Sequence, residues 1–136
     1  MEWAALITWV ATAGFGFVLL VISAARGGMT QSVGIRPVLI ISHFLLAAIG
    51  LAIWIAYVAT DNDTLAWVAF VILAVVALLG WTMFAIWYQR RSRSAVTEAV
   101  DPSTPAEQHF PVPVIAVHGV LAVTTVVLVL LTALDV

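Results

Sequence analysis

Four apolar runs, each long enough to cross a bilayer, divide this chain between them and leave little else. They cover residues 3–25, 37–59, 65–88 and 112–134. A hydrocarbon core of about 30 Å calls for about 20 apolar residues at about 1.5 Å rise each. Lipid offers the backbone no hydrogen-bond partner, so each run must satisfy its own amides as a helix. The expected fold is therefore all-α: an integral membrane four-helix up-down bundle forming a single transmembrane domain over 1–136. Composition agrees, since 64% of the 136 residues are hydrophobic and 9% charged, against about 25% charged in soluble domains.

The breaks between runs have their own chemistry. Arg26-Gly27-Gly28 follows the first run, and paired glycines end helices well. Pro37 opens the second run at a first-turn position. Thr60-Asp61-Asn62-Asp63 closes it, with Asp63 or Thr64 expected to cap the third helix. Gln89-Arg90-Arg91-Ser92-Arg93 is expected to stop the third run, and Pro111 to Val114 to start the fourth. Arg26, Arg36, Arg90, Arg91 and Arg93 all fall on one side of the bundle, whereas Glu2, Asp61, Asp63 and Asp135 fall on the other. By the positive-inside rule the arginine side is cytoplasmic and both termini are extracytoplasmic, in a multi-pass protein of the plasma or inner membrane. Trp3, Trp54, Tyr57 and Trp67 are expected as anchors at the outer boundary, and Trp87 and Tyr88 at the inner one.

The long connection, 89–110, is polar and is expected to face the cytoplasm. Within it Thr104-Pro105-Ala106-Glu107 reads as a capping box opening a short interfacial helix. Glu98, Asp101 and Glu107 read as an acidic loop, and His109 as a solvated interfacial residue. No positive charge precedes the first run, so it is read as a permanent span and not a signal peptide. The absence of cysteine excludes disulfides, thiolate metal sites and a cysteine nucleophile. No hydrolase triad, phosphate loop or nucleic-acid-binding patch is present, so nucleic acid is not an expected partner, and the chain is not expected to be an enzyme by itself.

Two histidines lie inside apolar runs and open the same pattern: His43-Phe44-Leu45-Leu46-Ala47 and His118-Gly119-Val120-Leu121-Ala122. An ionisable residue in lipid is costly, faces the bundle interior, and marks a site by default. Spans two and four run the same way in an up-down bundle. His43 comes six residues past Pro37 and His118 five past Pro113, which places both about 7 to 9 Å into their helices. The pattern suggests a parallel two-fold repeat, spans one and two related to spans three and four, with Gly14 and Gly80 as corresponding small contacts. Ala47 and Gly50 share the face of His43, and Ala122 and Thr125 that of His118. Small side chains there leave room for a flat macrocycle or for a closely packed helix.

Two neutral imidazoles at one depth across a four-helix bundle suit axial ligation of one haem iron. In these two segments and in the four-span plan the chain resembles small membrane b-type cytochromes. The resemblance implies haem b bound by His43 and His118, with Arg36 and either Arg26 or Arg90 placed to pair with propionates. It implies electron exchange with a quinone or a larger partner complex. A second reading makes the chain a non-catalytic accessory subunit of a larger membrane complex or a homo-oligomer. The histidines then hydrogen-bond each other, or Ser42, Thr82 and Thr125, and fasten the helices. Proton or metal-ion handling is a third reading, and metal transport is weakened by the lack of an acidic residue within the spans to share coordination with the imidazoles.

Overall fold

The computed structural model describes residues 1–94 and 105–135. Among them are four long helices and no strand: α1 (Glu2–Ala25), α2 (Pro37–Thr60), α3 (Asp63–Ser94) and α4 (Val112–Ala133), with a 3-10 turn, η1 (Ala106–His109), before α4. All four helices are long and apolar enough to cross a membrane. The chain is a multi-pass membrane protein with the four-helix bundle that the apolar runs imply.

Three helices keep close to their expected bounds. The third does not, continuing through the arginines to Ser94. Gln and Arg are good helix formers, and this stretch has neither glycine nor proline, so leaving the apolar run does not end the helix. At the other breaks the expected stops appear. Gly27 has φ +79°, Gly27 N–H donates to Ala24 and Gly28 N–H to Ser23, which together close α1 in a Schellman turn. Asp61 (φ 54°) ends α2 in the left-handed conformation. The cap of α3 is neither Asp63 nor Thr64: Asn62 Oδ1 accepts the Thr64 N–H at 3.0 Å. Asn62 has the short carbonyl side chain one position earlier, where the first free amides can reach it.

α1 packs most closely on α4 and α2 on α3, while the α1/α2 and α3/α4 seams are looser. The molecule is thus two tight helix pairs laid against each other. One half, toward the acidic end, is filled by Ala5, Trp9, Trp54, Tyr57, Ala66, Ala69, Leu73 and Val129. The tilted rings of Trp9 and Trp54 have centroids 6.4 Å apart and those of Trp54 and Tyr57 4.8 Å apart, and the Trp54 indole N–H donates to the Glu2 carbonyl. Trp54, Tyr57 and Trp87 are therefore buried and not boundary anchors. Trp3, Trp67 and Tyr88 are exposed, as anchors require, and Trp81 also faces outward.

Constant offsets relate inward-facing positions of the two halves. Moving from α1 to α3 by 64 residues carries Ala5, Trp9, Thr12, Gly16 and Ser23 onto Ala69, Leu73, Val76, Gly80 and Trp87. From α2 to α4 a shift of 75 carries His43, Gly50 and Trp54 onto His118, Thr125 and Val129. By this offset Gly80 corresponds to Gly16, two residues beyond Gly14, where an added Cβ would meet nothing within 4 Å.

Candidate functional site: the paired histidines

His43 and His118 each lie six residues past the first residue of their helices, Pro37 and Val112. Equal depth on parallel helices brings the rings into contact across the bundle diagonal, with centroids 6.3 Å apart and planes at 61°. Each ring reaches into the neighbouring odd-numbered helix of its own tight pair. His43 Nδ1 lies 3.0 Å from the Val76 carbonyl on α3, and His118 Nδ1 lies 3.0 Å from the Thr12 carbonyl on α1.

These bonds decide the tautomer. A carbonyl oxygen only accepts, so each Nδ1 carries the proton, and each neutral ring keeps its lone pair on Nε2. Neither ring then has a second N–H to give the other, so mutual hydrogen bonding is not what holds the pair. Ser42, Thr82 and Thr125 are not their partners either; the acceptors are helix carbonyls. Such a carbonyl already receives an amide from four residues on, and that residue is Gly16 beyond Thr12 and Gly80 beyond Val76. A Cβ on Gly16 would stand 3.0 Å from His118 Cε1, and one on Gly80 would stand 3.3 Å from His43 Cε1. Glycine at these two places is what lets an imidazole reach the backbone.

The residues expected beside the histidines have divided uses. Gly50 does not leave open space: a Cβ there would meet the Trp9 ring at 3.0 Å, so Trp9 fills the gap from α1. Thr125 is buried with its Oγ1 3.3 Å from Thr12 Oγ1. Ala47 and Ala122, one turn from the histidines, remain half-buried. Arg36 is exposed as the residue capping α2, two turns from His43 on the same helix face. Arg26 is also exposed at the basic end.

The basic end holds a polar cluster that the sequence reading assigned otherwise. Glu107, in η1, is 1% exposed. Its Oε1 accepts the Ile35 N–H at 3.1 Å and its Oε2 accepts from Gln31 Nε2 at 3.0 Å. Gln31 Oε1 in turn accepts the Ala106 N–H, and Arg90 Nε lies 3.9 Å from Glu107 Oε1. A Cβ on Gly34 (φ +96°) would overlap Oε1 of Glu107. The capping box is therefore not formed as expected: Pro105 stands at the cap, Glu107 serves the 29–36 loop, and Thr104 lies outside the described residues. A lone carboxylate can be buried only when paired, and here the pairing ties the 29–36 loop to the segment before α4. Glu98 and Asp101 also lie outside the described residues. His109 is exposed.

Among the described residues no group of three or more histidine, cysteine, aspartate or glutamate side chains is placed to hold a metal ion. A two-imidazole axial set does not need one. Comparison with protein families, with curated proteins and with solved structures finds no match to this chain.

Proposed function

We propose that this protein binds one b-type haem between His43 and His118 and carries electrons within the membrane. The observation that carries the reading is the meeting of two imidazoles whose Nδ1 protons are both engaged on backbone carbonyls. Metal-ligating histidines almost always donate their other ring nitrogen in this way, which orients the ring and raises its basicity. Metal–nitrogen bonds of about 2.0 Å on each side, with roughly 1 Å from nitrogen to ring centre, put two centres about 6 Å apart. The 6.3 Å between these rings is of that length. The looser α1/α2 and α3/α4 seams support the same reading, because a flat group between two tight helix pairs extends along them.

In this reading His43 and His118 are the axial ligands and Gly16 and Gly80 keep the rings seated. Arg36, with Arg26 or Arg90, faces the propionates from the basic end. The bound haem supplies a one-electron couple, and the chain sets its potential through the two neutral imidazoles and an apolar surround. In this reading the basic end, with its five arginines, is cytoplasmic and both termini lie outside, as the positive-inside rule favours. The electron partner is a quinone or a larger membrane complex. Absorbance of the protein purified after expression with haem supplied is the test: a Soret band is expected, and it should be lost in His43→Ala and in His118→Ala. No band in the wild-type protein refutes the reading.

The same hydrogen bonds favour one alternative, a non-catalytic accessory subunit in which each histidine fastens its helix pair. It predicts co-purification with a larger complex or a homo-oligomer, no visible absorbance, and weakened association of α1 with α4 in His118→Ala.

A further inference from the structure

A second polar feature lies outside the bundle core, where α3 projects past its apolar run. Ile86, Gln89, Arg90 and Arg93 recur at the spacing of one helix face, and together with Pro105 and Gln108 they line an open pocket of about 310 Å³. Among the described residues no carboxylate lines it. Glu107, whose oxygens accept from Ile35 and Gln31, also lies 3.9 Å from Arg90 Nε. Gln108 Nε2 is buried without a hydrogen-bond partner, a donor whose desolvation is left uncompensated. The pocket is graded along the helix axis, with Ile86 on the side of the apolar run and Arg93 two turns beyond it.

We propose that this pocket binds a phosphoryl anion presented by an acidic phospholipid headgroup. Arg93 supplies forked N–H donors that suit phosphate oxygens, Arg90, held beside Glu107, adds to the positive field, and Gln108 Nε2 supplies a further donor. Ile86 meets the start of the acyl chains. Basic pockets between helices at a membrane face take anionic headgroups for these reasons. The apolar side favours a lipid over free phosphate, which has nothing to place against Ile86.

Native mass spectrometry of the full chain in neutral detergent tests the site, with phosphatidylglycerol, phosphatidylcholine and inorganic phosphate as probes. Wild type should retain phosphatidylglycerol in preference to phosphatidylcholine. Arg93→Gln should cut that preference about fivefold, the size of one basic residue's contribution at an anionic surface. Gln108→Ala should lower it with no change in charge. Arg91→Gln removes the same charge outside the pocket, where Arg91 lies over the Trp87 ring at 5.6 Å, and should leave the preference intact. Displacement of the lipid by equimolar inorganic phosphate would assign the same donors to free phosphate. Equal losses in the Arg91 and Arg93 variants, or none in Arg93→Gln and Gln108→Ala, would overturn the site.

Discussion

The two ends of the bundle solve the burial problem differently. Toward the acidic end, Trp9, Trp54, Tyr57 and Leu73 fill the space between helices with ring and branched carbon, and the Trp54 indole N–H donates to the Glu2 carbonyl. Toward the basic end the same four helices enclose two imidazoles, a carboxylate and an amide, and the glycines needed to admit them. In a membrane, helix association comes from packing and interhelical hydrogen bonds more than from the hydrophobic effect. The aromatic half therefore carries most of the cohesion, and the polar half gives up some of it to seat polar and titratable groups.

That contrast predicts unequal costs. The largest should come from Trp54→Ala. Trp54 is 0% exposed and touches both Trp9 and Tyr57, so truncation should cost about 3 to 5 kcal/mol, the usual range for a buried aromatic. Thermal unfolding in detergent measures it. If haem is bound, the absorbance of the folded fraction should be unchanged, because the lost packing lies in the other half. A smaller penalty than for any basic-end variant would reverse the assignment of cohesion.

Glu107→Ala should come next. It strands the Ile35 N–H, a buried group costing about 1 to 3 kcal/mol when orphaned, and removes one of two acceptors of Gln31 Nε2, which still donates to the Ile35 carbonyl at 2.9 Å. The loss should be seen as faster hydrogen exchange at Ile35 and as proteolysis within 29–36, with α1 to α3 still protected. Unchanged exchange at Ile35 would remove Glu107 from its place as the tie between the 29–36 loop and η1.

How much of this was legible in the sequence follows from how local each signal is. The four spans could be read because run length alone sets them. The matched depth of His43 and His118 could be read because it needs only a count from each helix start. Glu107 could not, because its partners Gln31 and Ile35 are more than seventy residues away and the local string Thr104-Pro105-Ala106-Glu107 imitates a capping box. The Gly16 and Gly80 pair was missed by two residues, since only the ring positions of His118 and His43 reveal which glycine faces them. The burial of Trp54 and Tyr57 escaped for a related reason: nearness to a boundary does not say which way a helix face turns.

Gly16→Ala and Gly80→Ala sharpen the comparison within the polar half. Alanine is the better helix former by up to about 1 kcal/mol, so a glycine with no duty should gain stability on replacement. At Gly16 the added Cβ presses on His118 Cε1 at 3.0 Å and should break its bond to the Thr12 carbonyl; at Gly80 the 3.3 Å approach to His43 is easier to relieve. The His118 Nδ1–H resonance in the NMR spectrum should shift or vanish in Gly16→Ala, and that of His43 should move less in Gly80→Ala. Equal shifts would mean that the two halves of the repeat are held alike.

The smallest effect is expected where the structure places two hydroxyls together. Thr12 Oγ1 and Thr125 Oγ1 are 3.3 Å apart, which suggests a bridge between α1 and α4. Each hydroxyl has one proton, however, and each already donates along its own helix: Thr12 to the Thr8 carbonyl at 2.7 Å, Thr125 to the Leu121 carbonyl at 2.8 Å. Neither has a proton left for the other, so the contact adds little attraction between helices. Thr125→Val keeps the volume and removes the hydroxyl, and should change stability by no more than about 0.6 kcal/mol, the mean for interhelical hydrogen bonds in membranes. A loss well above that, measured as for Trp54→Ala, would show that one threonine gives up its helix carbonyl to bond across. The α1/α4 pair would then be held by that bridge as well as by His118.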